Sequence, residues 1–101
     1  MEKKYHTFTA FYPFYLSQHQ NTVCRRLHYI ASGIIVLLVV YILWSSQWSL
    51  IWLVPVIGYG FAWTGHFFFE RNKPATFTYP FYSLLGDWVM FKDILTRKIK
   101  F

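Results

Sequence analysis

Negative charge is scarce in this sequence. Four acidic residues stand against ten Lys and Arg, leaving a net charge of +6. Cysteine is scarcer: Cys24 alone excludes an internal disulfide and a thiolate zinc cluster. Its neighbours Arg25 and Arg26 are of the kind that lower a thiol pKa, but the plainer reading, a small residue near a helix start, is the favoured one. No glycine-rich phosphate loop and no G-x-S-x-G elbow is present, which removes the commonest nucleotide and hydrolase chemistries. No C-x-x-C-H occurs, so covalent haem attachment is excluded. Internal repeats and low-complexity tracts are missing too. Lys3 and Lys4 resemble the basic start of a secretory leader, but His6, Thr7, Thr9 and Pro13 break the segment behind them. Insertion is therefore expected through internal segments.

Apolar residues and rings are abundant instead. Apolar residues make up 55% of the chain, aromatics 24% and charged residues only 14%, against about 25% charged in a soluble domain. A chain of 101 residues buries too little surface in water to hide so many rings. A bilayer removes the need. Basic charge interleaved with aromatics also fits nucleic acid, but here the rings lie within uncharged runs and the Lys and Arg flank them. That arrangement fits membrane anchoring and argues against nucleic acid.

The expected architecture is an all-α integral membrane protein, one membrane domain over residues 1–101. Residues 27–44 form a first apolar run of about 27 Å, and residues 48–69 a second of about 33 Å. Ser45-Ser46-Gln47 joins them into a helical hairpin with Trp44 and Trp48 at its tip, where indoles favour the interface. The tip carries no basic residue. Arg25, Arg26, Arg71 and Lys73 mark the opposite end, so the positive-inside rule places both termini in the cytoplasm, with Lys3 and Lys4 on that side. The membrane is expected to be the cytoplasmic one in a bacterium and the endoplasmic reticulum in a eukaryote. Residues 5–18 and 79–96 are expected as amphipathic or half-inserted flanking helices. Pro13 should kink or divide the first, and Pro80 should start the second. Pro55 falls mid-span and predicts a bend. Gly58 and Ala62 form a small-xxx-small pair for helix packing. Asn72 and Pro74 should close the second span.

Polar residues in a bilayer are costly and therefore informative. His19 and Asn21 precede the first span, His28 lies a turn inside it, and His66 and Glu70 lie in the last turns of the second. Asp87 can reach the same level. His66 and Glu70, at i and i+4, share one helix face. Three imidazoles and a carboxylate on one layer form a ligand set for Fe(II), Zn(II) or Mn(II), and open positions on such a set suit non-haem iron and O2. The plainer account is that each histidine is an interfacial amphipath and Glu70 pairs with Arg71 or Lys73. His6, near the terminus, has no partner in sequence. The apolar surroundings suggest a substrate with an acyl chain.

Two blocks carry a resemblance. Phe11-Tyr12-Pro13-Phe14-Tyr15-Leu16-Ser17-Gln18-His19 with Arg25-Arg26-Leu27-His28 is the first. Gly65-His66-Phe67-Phe68-Phe69-Glu70-Arg71-Asn72-Lys73-Pro74-Ala75-Thr76 is the second. Together they resemble the family of the fungal endoplasmic-reticulum 2-hydroxy fatty acid dioxygenase of phytosphingosine breakdown. The resemblance implies Fe(2+)-dependent α-oxidation, in which a 2-hydroxy fatty acid and O2 give an acid one carbon shorter. It implies His19, His28, His66 and Glu70 as metal residues, with His66 and Glu70 at the catalytic centre. Glu70 is then a fourth ligand or a partner orienting His66. Arg25, Arg26 or Arg71 are candidates to pair with the substrate carboxylate. The alternative is a non-catalytic membrane subunit binding haem, metal or lipid, with homo-oligomerisation open in either case.

Overall fold

The computed structural model describes residues 4–101, so Lys3 of the expected basic flank lies outside the described residues. Four α-helices follow in order: α1 (Phe8–Ser17), α2 (Thr22–Ser45), α3 (Leu53–Thr64) and α4 (Pro80–Leu95). Short 3-10 turns cover Trp48–Trp52 and Ala75–Phe77, and a π-helical turn covers Gly65–Glu70. No strand occurs among the described residues. The all-helical expectation therefore stands. Two helical stretches, Thr22–Ser45 and Trp48–Glu70, are long and apolar enough to cross a membrane.

The first stretch begins five residues before the apolar run, because a cap rather than hydropathy sets its start. The Asn21 side chain accepts from the amides of Val23 and Cys24 at 2.9 and 3.1 Å, satisfying two of the donors a helix start leaves unpaired. At the other end Ser46 takes a left-handed conformation, φ 60°, and its amide closes on the Ile42 carbonyl at 2.7 Å.

The second stretch is not one regular helix. Pro55 does not stand in the middle of a regular helix: a 3-10 turn precedes it and it falls in the first turn of α3. There its missing N–H belongs to donors with no intrahelical partner anyway. The irregularity comes a helix later. The Thr64 hydroxyl donates to the Gly60 carbonyl at 2.6 Å, a back-bond that bends helices, and the ladder then widens into the π-helical turn. Arg71, not Asn72, ends the stretch: it is left-handed at φ 59°, and the Asn72 amide reaches back to the His66 carbonyl at 3.0 Å. This frees the Asn72 side chain.

α2 and α3 pack antiparallel, with glycine at the close approaches. A Cβ on Gly65 would stand 2.9 Å from the Cys24 sulfur and 3.1 Å from its Cα, while one on Gly58 would meet only the tip of Ile35, at 3.4 Å. The outer face of this hairpin is bare of partners: Leu37 is 71% exposed, Leu43 61% and Trp44 82%.

α1 and α4 form a separate packing unit against the hairpin. Phe11, Tyr15, Tyr79, Met90 and Ile94 are its buried core, with Tyr5, Phe8, Tyr12 and Phe14 packed around them. The Tyr12 hydroxyl donates to Asp93 at 2.8 Å, and Tyr15 is hydrogen-bonded to Asp87. Both acidic residues of α4 are thus engaged by α1. Pro80 stands at the first position of α4, as expected. Pro13 does not divide α1. Pro13 and Thr9, whose carbonyl it leaves free, are both exposed, so no unpaired group is buried by keeping the helix whole.

Candidate metal centre

Three helical elements meet at the end of the hairpin away from its tip. His19 follows α1, His28 lies in the second turn of α2, and His66 lies in the π-helical turn. They are 2%, 5% and 2% exposed. Ring centroids lie 4.5 Å apart for His19–His28, 4.5 Å for His19–His66 and 5.0 Å for His28–His66, with planes crossed at 87°, 78° and 84°. One ligand nitrogen from each lies within 4.8 Å of the others.

The hydrogen bonds fix which nitrogens face inward. His19 Nδ1 lies 2.6 Å from the Tyr15 carbonyl, and His28 Nδ1 lies 2.8 Å from the Cys24 carbonyl. A carbonyl only accepts, so both Nδ1 atoms carry the proton and donate. His66 Nδ1 faces Asn72 Oδ1 at 2.7 Å. The Asn72 amide cannot be reversed there, because its Nδ2 donates to the Gln18 carbonyl and side-chain oxygen, both at 3.1 Å. All three Nε2 atoms are therefore left as bare acceptors. His19 Nε2 and His28 Nε2 face each other at 3.2 Å, and two lone pairs at that distance need a proton or a cation between them.

A metal ion fits this donor set. Imidazole nitrogens at about 2.0–2.1 Å from one ion stand about 2.8–3.4 Å apart around an octahedral or tetrahedral centre, and the 3.2 Å between His19 and His28 lies in that range. Each ligand also donates its other N–H to a fixed acceptor, the arrangement that orients metal-binding imidazoles. Burial, then the neighbouring His28 and His66, push His19 well below the ordinary histidine range, which keeps it neutral and available.

The remaining expected site residues are placed differently. Glu70 stands outside the three-imidazole set; its carboxylate accepts from the Asn21 backbone amide. Asn21 also donates to the Phe69 carbonyl at 3.3 Å, so this pair clamps the start of α2 to the end of the second stretch. Arg25 donates to the Lys100 and His19 carbonyls at 3.0 and 3.2 Å. Arg26 donates to the Phe101 carbonyl at 3.3 Å and covers its ring at 5.0 Å. Arg71 is exposed at the left-handed corner. None of the three arginines lines the cavity described below. His6 is exposed and apart from the cluster.

A cavity of about 200 Å³ opens from the imidazoles between α2, α3 and α4. Ala31 and Ile35, Gly58 and Ala62, and Leu84 and Trp88 supply its apolar wall, while Ser83, Asp87 and Tyr15 supply polar atoms. Tyr15 stacks on His19 at 4.0 Å. Burial pushes the Asp87 carboxyl up to about 7, against the opposing pull of its bond to Tyr15.

Sequence reasoning missed Asn72, although it stands six residues after His66 in the second block. The signal was present in its type, but a left-handed arginine at position 71 is what turns it inward. Removing it tests the arrangement. Asn72→Ala is expected to weaken metal binding about 10–100-fold, the usual effect of deleting a partner behind a ligand, with little loss of helix by circular dichroism. Unchanged metal affinity in a competition titration would show that Asn72 does not orient His66.

The fold and site define a class: an all-helical protein with a buried three-histidine candidate metal centre, set beneath two helices of membrane-crossing length. The family model described as 2-hydroxy-palmitic acid dioxygenase Mpo1-like matches residues 5–99. The chain belongs to the Mpo1-like family. No curated protein and no solved structure matches it.

Proposed function

We propose that this protein is a membrane-embedded Fe(II) dioxygenase that shortens 2-hydroxy fatty acids by one carbon. The observation that carries the proposal is the set of three bare Nε2 atoms on buried histidines lining an apolar cavity. His19, His28 and His66 would hold the ion, and three histidines leave further positions on it open. Iron there supplies a means of reacting O2 with a bound acid. The overall balance, RCH(OH)COOH + O2 → RCOOH + CO2 + H2O, draws all four electrons from the substrate, so no outside reductant enters. The protein's own part is to bind, orient and exclude water. The apolar wall takes the alkyl chain, and the buried imidazoles meet the polar end. Glu70 acts on the site through Asn21, by holding the start of α2 in register.

A haem-binding subunit fits less well. Imidazole nitrogens 3.2 Å apart leave no space for a porphyrin between them, since two axial nitrogens at about 2 Å from one iron stand about 4 Å apart on opposite faces.

Membrane insertion is part of the same proposal. Only 28% and 11% of the two apolar stretches are buried inside the protein, whereas the core helix of a water-soluble protein is mostly covered. The exposed Leu, Trp and Phe of the hairpin then face lipid, and α1 and α4 lie at the cytoplasmic interface. With Cys24 replaced by serine, Ser46→Cys should react with an impermeant maleimide added outside the cell or inside the organelle lumen. Reaction from the cytoplasmic side alone would reverse the orientation.

The test of function is direct. Purified protein loaded with Fe(II) should convert labelled 2-hydroxypalmitic acid to the acid one carbon shorter, with one CO2 released per O2 consumed. A chelator should stop the reaction and Fe(II) should restore it. Iron-loaded protein that yields no shortened acid at any chain length would end the dioxygenase reading.

A further inference from the structure

Ser83 is the one buried side-chain polar atom without a hydrogen-bond partner among the described residues. It is 3% exposed and lines the cavity. A serine inside a helix ordinarily back-bonds to the carbonyl four residues earlier. Here the Tyr79 carbonyl accepts from the Ser83 amide at 2.8 Å, but the hydroxyl does not share it and is left over. A buried hydroxyl without a partner is unfavourable, and native structures rarely keep one without a reason.

The cavity also has an unmet need on its other side. No Lys or Arg among the described residues lines it, and the three arginines expected to meet a carboxylate are turned to backbone carbonyls or to solvent. A fatty acid lodged there brings two carboxylate oxygens with several lone pairs between them. Tyr15 and Asp87 are hydrogen-bonded to each other. Ser83 lies one helical turn from Asp87, about 6 Å along α4, on the same wall, and its donor is free.

We infer that Ser83 is a carboxylate-positioning residue, its hydroxyl donating to the carboxylate of the acid in this cavity. The inference rests on the reading of the cavity as a fatty-acid site. Asp87 does not oppose it strongly, because burial holds that carboxyl partly protonated near neutrality. The Tyr15–Asp87 pair supports the same wall and keeps α1 against α4, so Ser83 is presented from a fixed helix.

The experiment measures binding, not turnover. Wild-type, Ser83→Ala and Ser83→Cys proteins are equilibrated by dialysis in detergent micelles, without O2, against 2-hydroxypalmitic acid, palmitic acid and 1,2-hexadecanediol. A hydrogen bond to a charged group predicts about 10–100-fold weaker binding of both acids by Ser83→Ala, and no change for the uncharged diol. Ser83→Cys keeps the volume but donates weakly, so it should resemble Ser83→Ala. Melting temperatures should be equal to wild type or higher, since an unpaired hydroxyl has been removed. Equal loss for the diol, or a lowered melting temperature, would assign Ser83 to packing and overturn the inference. Unchanged acid binding by both variants would overturn it while leaving the fatty-acid reading intact. Wild-type protein that binds neither acid would remove both.

Discussion

His66→Ala is expected to abolish stable metal binding and, with it, conversion of 2-hydroxy acids. In the proposed site three ligands would hold the ion, and none of the buried neighbours is placed to substitute. Cys24 lies behind His28, with its sulfur 3.8 Å from Nδ1, the nitrogen that faces away from the ion, and Glu70 is committed to the Asn21 amide. The effect on stability separates the site from the scaffold. In metal-free protein the three Nε2 lone pairs oppose one another, so losing one imidazole removes a repulsion as well as some packing. The metal-free variant should melt close to metal-free wild type. Metal should then raise the melting point of wild type alone, since an ion present at 100 times its dissociation constant adds about 2.7 kcal/mol to the native state. His19→Ala and His28→Ala should behave alike. Glu70→Gln keeps an oxygen for the Asn21 amide and should bind metal within about 10-fold of wild type; total loss would make Glu70 a ligand after all. His6→Ala, on an exposed residue, is the control. Metal content by mass spectrometry after dialysis and calorimetric melting decide each case, and full metal retention by His66→Ala would remove the site.

The sequence made the hairpin and the three histidines legible for the same reason. Apolar runs of bilayer length are visible without any knowledge of packing, and polar residues within them stand out by cost. Depth along a helix then follows from counting residues, which is how His19, His28 and His66 were matched to one layer. Direction around the helix does not follow from counting where the ladder changes pitch. The π-helical turn over Gly65–Glu70 depends on the Thr64 back-bond and on the left-handed Arg71, and neither leaves a mark in hydropathy. So the i, i+4 spacing of His66 and Glu70 suggested a shared ligand face, whereas the structure gives Glu70 to the cap of α2. Pro55 shows the same limit: its position in the apolar run implies a mid-span site, but only the preceding 3-10 turn reveals that it lies at the start of α3. The arginines were assigned by charge alone. The Lys100 and Phe101 carbonyls that engage Arg25 and Arg26 are some 75 residues away in sequence, beyond the reach of local pattern. Asp87 and Asp93 are engaged by tyrosines on a different helix, which the local pattern of α4 does not show.

Gly65→Ala should disrupt the protein more than any other single methyl added to a glycine of the hairpin. The new Cβ would meet the Cys24 sulfur at 2.9 Å, its Cα at 3.1 Å and its Cβ at 3.3 Å. A flexible side-chain tip could turn aside, but the backbone in the first turn of a capped helix cannot. α2 and the π-helical turn must therefore separate, and overpacking of this kind costs about 1–3 kcal/mol. The alanine's better helix propensity offsets at most about 1 kcal/mol of that. His66 is the next residue, so its Nε2 shifts with the backbone, while His28 stays one turn from Cys24 on the opposing helix. Ligand distances tolerate only about 0.2 Å, so metal affinity should fall further than in Asn72→Ala. Gly58→Ala is the internal comparison. Its Cβ meets only Ile35 Cδ1 at 3.4 Å, an ordinary approach to a movable methyl, and it should melt at or above wild type. Cys24→Ala combined with Gly65→Ala should recover part of the loss, because the sulfur is removed while the clash with the α2 backbone remains. Thermal melting and metal titration of the four proteins test the chain of cause from one methyl to the site. A Gly65→Ala protein with wild-type melting point and metal affinity would mean that the α2 crossing does not set the His28–His66 separation.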